Sequence, residues 1–127
     1  MIFLDTSILI DSLAGPRRSA AGLRAAIEQG ERILLPTLVL YEWLRGPRRE
    51  QELRAQETLL PRESAVVFGP EEAAVAARLY LQVRRPRGRE IDLAIAACAM
   101  VHKASLWTLN TADFEDIPGL LLWKPSR

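Results

Sequence analysis

Met1-Ile2-Phe3-Leu4-Asp5-Thr6-Ser7 opens the chain as an apolar run that ends in an acid and passes directly into hydroxyl residues. Ile2, Phe3 and Leu4 read as a short buried strand, and Thr6 or Ser7 then supplies the N-cap of a helix carrying Ile8, Leu9 and Leu13. The same alternation runs outward from this unit. A helix is expected over residues 17–29, with Leu23 and Ile27 on one face and Gly30 as its stop. Residues 33–35 form the next strand, closed by Pro36. Thr37 caps a helix that ends at Gly46-Pro47, and the charged residues 48–59 read as an exposed helix. Residues 65–68 make a third strand. Pro70, Glu71 and Glu72 occupy the first turn of a helix reaching about Val83, where the dipole favours acids. Arg84-Arg85-Pro86-Arg87-Gly88-Arg89 breaks that helix as a basic loop. Ile91, Ala94, Ile95, Cys98 and Val101 keep helical spacing over residues 90–103, and Ala96, Ala97 and Ala99 allow close packing. Residues 106–109 are a fourth strand, 110–115 a turn with a short helix, and 120–123 a fifth strand. Strands alternating with helices predict an α/β domain whose mostly parallel sheet is covered on both faces.

Composition narrows the class. At 127 residues and 49% hydrophobic content, with no repeat or low-complexity tract, one domain over 1–127 is expected. Such a chain buries roughly two thirds of its unfolded surface and needs no staple. One cysteine, Cys98, excludes an intrachain disulfide, and one histidine, His102, leaves too few ligands for a zinc cluster. The first residues lack the basic segment and cleavage site of a signal peptide, and no apolar run approaches the ~20 residues of a membrane span, so a cytoplasmic protein without a membrane partner is expected. Net charge is only +1, and all but two of the basic residues are arginine, an excess that coding bias or a thermophilic origin explains more readily than phosphate recognition.

In an open parallel sheet, ligands gather outside the carboxyl ends of the strands. Asp5 ends the first strand, Glu42 lies one turn into the helix after the second, Asp92 opens the helix after the basic loop, and Asp113 follows the fourth strand. Singly, each has a structural explanation as a cap, a turn or a solvated helix face. Together, carboxylates converging on one edge repel one another unless a cation sits among them. All-oxygen ligation suits Mg²⁺ or Mn²⁺ rather than zinc, and a pair of such ions activates water for phosphodiester hydrolysis.

Four segments in order, Met1 to Ser7, Leu40-Tyr41-Glu42-Trp43-Leu44-Arg45-Gly46, Asp92-Leu93-Ala94-Ile95-Ala96-Ala97 and Thr108-Leu109-Asn110-Thr111-Ala112-Asp113-Phe114, together with the closing Ile117-Pro118-Gly119-Leu120, resemble a PIN domain. The resemblance is to the toxin ribonucleases of VapBC toxin–antitoxin systems and spans essentially the whole chain. It implies a three-layer domain with a parallel five-stranded sheet between helices, and a Mg²⁺- or Mn²⁺-dependent endoribonuclease. It places the acidic site on Asp5, Glu42, Asp92 and Asp113, with Asp5 and Asp92 as main metal ligands. Thr6 or Ser7 and Asn110 take the supporting polar positions. It also implies a homodimer and a cognate antitoxin chain, which we expect to pack near the helix holding Leu38-Val39-Leu40-Tyr41.

Glu90 and Asp116 stand close enough in sequence to join the site, although an exposed first-turn acid and a turn residue are the simpler readings; Asp11 reads as surface. Arg84, Arg85, Arg87 and Arg89 are candidates for gripping an RNA backbone, with Arg45, Arg48 and Arg49 as a continuation. Trp43, Trp107 and Trp123 read as core or interface residues. His102 reads as an exposed helix residue with no nucleophile to serve. A phosphoryl-accepting receiver is excluded because Val67-Phe68-Gly69 offers no Asp at the third strand, and a haloacid-dehalogenase-like phosphatase because position 7 is Ser. The remaining alternative is a non-catalytic PIN-like module that binds RNA or protein without cutting.

Overall fold

The computed structural model describes residues 1–125 of the chain. Its centre is a three-stranded parallel sheet of β1 (Ile2–Leu4), β2 (Ile33–Leu34) and β3 (Ser105–Trp107), in the order β2-β1-β3. Phe3 sits opposite Leu34 on one side and Leu106 on the other, and Leu4 opposite Trp107. All of β1 is buried, as a central parallel strand covered on both faces must be.

Six α-helices cover the sheet: α1 (Thr6–Leu13), α2 (Ala20–Glu28), α3 (Thr37–Arg45), α4 (Glu50–Leu59), α5 (Pro70–Gln82) and α6 (Glu90–Val101). Helix α1 packs against α2, α3 and α4, while α6 packs most extensively on α5 and also meets α3 and β3. Leu93 to Ala99 are buried without interruption, so α6 is the helix with no solvent stripe, and its alanines let α5 approach closely. Within it, burial pushes the Cys98 thiol up to about 12, which leaves it an inert packing group.

The α/β class and the parallel sheet match the expectation; the strand count differs. The expected strands at 65–68 and 120–123 are each reduced to one parallel bridge, Pro36 with Val66 and Leu106 with Leu122. On the first edge Val66 N–H donates to Leu35 C=O and Thr37 N–H to Val66 C=O, after which the chain turns into α3 at Thr37 and offers no further extended backbone. The second edge stops after Leu106 N–H to Leu121 C=O and Trp123 N–H to Leu106 C=O.

Other boundaries move for local reasons. The helix expected from residue 17 starts at Ala20, because Arg17 adopts φ 63°, outside helical space. Gly30, at φ 87°, stops α2 as expected: its N–H reaches Ile27 C=O and the N–H of Glu31 reaches Ala26 C=O. Asp5, rather than Thr6 or Ser7, is the N-cap of α1, and Pro36 rather than Thr37 that of α3. Helix α4 is less exposed than expected, since Glu52 and Gln56 turn inward to accept Arg49 N–H and to donate to Leu60 C=O. Asp11 is buried, not surface, and accepts the N–H of Ser19 at 2.8 Å. His102 is not solitary: its Nε2 lies 3.0 Å from Glu72, whose other oxygen accepts Gly69 N–H. The hydrogen bond to its own backbone N–H, then those from Gly69 and His102, hold the Glu72 carboxyl below its usual range against the opposing effect of burial.

Helix α6 ends with Lys103 at φ 55°, its N–H on Met100 C=O and the N–H of Ala104 on Ala99 C=O. A side chain in this left-handed position costs about 1 kcal/mol that glycine avoids. Lys103→Gly should therefore raise the melting temperature by roughly 2–4 °C, measured by circular dichroism. Glu72→Gln should lower it at neutral pH. Because the Glu72 carboxyl sits below its unfolded value, that difference is full above about pH 4.5 and shrinks as the pH falls through the folded value.

Candidate active site

The parallel register puts the carboxyl ends of β1 and β3 side by side, and Asp5 N–H donates to Trp107 C=O at 2.9 Å as the last rung between them. Beyond that rung the backbone turns into α1, leaving the Asp5 side chain, 4% exposed, free of any capping bond. Its Oδ2 accepts from the hydroxyls of Ser7 at 2.9 Å and Thr108 at 2.7 Å. Ser7 Oγ in turn accepts the N–H of Leu109, and Thr108 Oγ1 that of Asn110. The segment after β3 is thereby pinned to the start of α1. Thr6 donates to Glu42 Oε1 at 2.5 Å, tying α3 to the same place, and Arg45 reaches the other oxygen at 3.5 Å.

Asp92 lies in the first turn of α6, and Asp113 closes the 3₁₀ turn Thr111–Asp113. The Asp92 carboxyl is pushed up to about 6, by burial first and then by the charges of Asp5, Asp113 and Glu42, with Arg89 opposing. Asp5, Glu42 and Asp113 thus all act on Asp92, although among the described residues no three His, Cys, Asp or Glu side chains stand together closely enough to hold a metal ion. Their donors are all oxygens and their combined charge is under-compensated, which fits a hard divalent cation and not zinc.

Arg89 carries the principal counter-charge. Its fork makes two hydrogen bonds to Asp116, at 2.9 and 2.6 Å, and a third to Asp113 C=O at 2.9 Å, so the start of α6 is clamped to the turn bearing Asp113. The pairing holds Asp116 below its usual range and Arg89 above. Asp116 therefore serves the clamp. Glu90 is exposed, in keeping with a first-turn acid. Of the other loop arginines, Arg84, Arg85 and Arg87 are exposed and make no ion pair among the described residues. The continuation through Arg45, Arg48 and Arg49 is occupied elsewhere: Arg45 faces Glu42 and Tyr41, Arg48 stacks 4.3 Å over Trp43, and Arg49 pairs with Glu52. Asn110 is exposed, and it is the backbone N–H that joins the network. The reading from sequence missed Thr108, whose signal was its place directly after a strand in register with the one that delivers Asp5.

Comparison with known proteins bears on the fold as a whole. A family model described as the PIN domain matches residues 2–120. Ribonuclease VapC19 of Mycobacterium tuberculosis is 35% identical over 122 residues, covering 94% of this chain and 97% of that protein. Among solved structures, VapBC-1 from nontypeable Haemophilus influenzae aligns with TM-score 0.71 and 26% identity over 98% of each chain. VapBC2 from Rickettsia felis, bound to a DNA fragment from its promoter, aligns with TM-score 0.75 and 23% identity over 98% of this chain and 100% of that one.

Crowding of like charge has a measurable cost. Replacing Asp92 by Asn removes the carboxylate on which three others act, so in metal-free buffer at pH 7 Asp92→Asn should melt a few degrees above the wild type. A lower melting temperature would mean that Asp92 is stabilised by partners other than those described.

Proposed function

Since this chain belongs to the PIN-domain ribonucleases of the VapC type, we propose that it is a divalent-metal-dependent endoribonuclease, the toxin of a toxin–antitoxin pair, which hydrolyses RNA phosphodiester bonds at Asp5, Glu42, Asp92 and Asp113. The observation that carries this reading is that the charges of Asp5, Asp113 and Glu42 all bear on the Asp92 carboxyl, which burial first and then those charges push up to about 6. A site so negative in the free protein has a cation as its natural complement.

Asp5 and Asp92 would hold Mg²⁺ or Mn²⁺, with Glu42 and Asp113 completing the shell directly or through water. When bound, the metal supplies Lewis acidity to the phosphate and lowers the pKa of water. The chain's own residues do the rest. Ser7 and Thr108 hold the Asp5 carboxylate in one rotamer by donating to a single oxygen, which leaves the other to bind. Thr6 holds Glu42 through Oε1, while Arg45 faces its other oxygen at 3.5 Å. Arg89 keeps Asp113 at its distance from Asp92 without contributing a donor to the site. Arg84, Arg85 and Arg87, unpaired among the described residues, grip the backbone of a bound strand.

A cognate antitoxin has a suitable seat on α3. Leu40, the exposed Tyr41 and Leu44 line an open groove there, whereas Val39 of the same helix is fully buried and unavailable. Homodimerisation has apolar surface in Leu81 and Val67, 84% and 68% exposed. Among the described residues no helix is long and apolar enough to cross a membrane.

The decisive test is cleavage of a mixed-sequence, end-labelled RNA by the purified chain with Mg²⁺, Mn²⁺ or EDTA, beside Asp5→Ala. Metal-dependent cutting that falls to background in EDTA and in the variant is expected. Equal cutting by the variant would assign the activity to a contaminant, and metal binding without cleavage would favour the non-catalytic module. Millimolar Mg²⁺ or Mn²⁺ should also raise the melting temperature, with a smaller rise in Asp92→Asn.

A further inference from the structure

Beside the acids lies a second concavity, a cleft of about 700 Å³ where residues just before and within α2, the carboxyl end of β3 and residues 123–125 meet. Two indoles, Trp107 and Trp123, pack edge to face in its wall with ring centroids 4.7 Å apart. Trp107 is largely enclosed and Trp123 half-buried. Gly22 of α2 leaves them room, since a methyl group there would stand 3.2 Å from the Trp107 ring. Arg18 and Lys124 flank the opening; both are exposed, and among the described residues neither forms an ion pair and no carboxylate lines the cleft.

The cleft and the acid pocket share a wall. Thr108 lines the cleft and donates its hydroxyl to Asp5, and Thr111 on the rim begins the turn that ends in Asp113. An occupant must therefore be flat enough for an aromatic wall, carry negative charge for two free cations, and continue into a pocket built for a cation-bound phosphate. A nucleotide within a single strand meets all three conditions. Paired bases do not, because their faces are stacked and out of reach.

We propose that this cleft seats one unpaired nucleobase of single-stranded RNA, next to the phosphodiester that the acids cut. The proposal rests on the ribonuclease reading above and adds a determinant of where along a strand the chain binds. Trp123 supplies the stacking face, while Arg18 and Lys124 hold the neighbouring phosphates.

The test is tryptophan fluorescence of the full chain in EDTA, where nothing is cut, titrated with a mixed-sequence single-stranded RNA 10-mer or with inorganic polyphosphate of matching charge. Trp43, fully buried, is shielded from either probe. RNA should quench the emission saturably and polyphosphate should not. Trp123→Leu should weaken RNA binding about tenfold, and Trp123→Phe should recover most of the loss. Lys124→Glu, at an exposed position that does not threaten folding, should weaken binding and flatten its salt dependence. Unchanged affinity in Trp123→Leu and Lys124→Glu, or equal quenching by polyphosphate, would overturn the base seat. So would quenching by an acidic, aromatic peptide but not by RNA, which would assign the cleft to a protein segment. Cleavage measured in parallel with Mn²⁺ separates the two claims. Cutting by the wild type alongside unchanged affinity in both variants rejects the base seat and keeps the ribonuclease, whereas base-dependent quenching without cutting does the reverse.

Discussion

One backbone hydrogen bond, from Asp5 N–H to Trp107 C=O, sets the position of everything around it. It is the last rung between two parallel strands, and at that point both chains leave the sheet in the same direction. Parallel pairing is what makes this possible: the exits of β1 and β3 lie on one edge, so Asp5 and Thr108 emerge as neighbours although 103 residues separate them. Helix α3 leaves the same edge by way of β2 and brings Glu42 to Thr6.

The site is held together against its own charge. Mutual repulsion of the acids favours opening, and three ties oppose it: the hydroxyl bonds to Asp5, the bond from Thr6 to Glu42, and the Arg89 fork across α6 and the Asp113 turn. Each tie uses neutral donors or a cation just outside the pocket, so the negative field inside is kept. The arrangement keeps like charge crowded at one edge of the sheet, at a cost in stability.

The elements legible in the sequence were those set by local pattern: the opening strand, the helices and the acids at strand ends. Features set by distant partners were not. Asp11 looked like surface because nothing nearby in sequence announces that the N–H of Ser19 will need an acceptor. Glu52 and Gln56 look solvated in a charged stretch, yet each satisfies a backbone group where its helix turns toward α1. Arg89 is indistinguishable from its loop neighbours until Asp116, 27 positions away, is placed beside it. The lengths of the outer strands depended on where α3 begins and where the closing segment leaves Leu106, a matter of pairing rather than propensity.

Those truncated outer edges govern how the molecule can associate. Neither flank of the sheet offers more than one bridge's worth of backbone, and one flank has a proline in it. A foreign extended segment finds only a short template there, and short edges are one of the ways in which sheets avoid strand addition. Association is thereby left to side chains on the helices, loops and clefts, where recognition is selective.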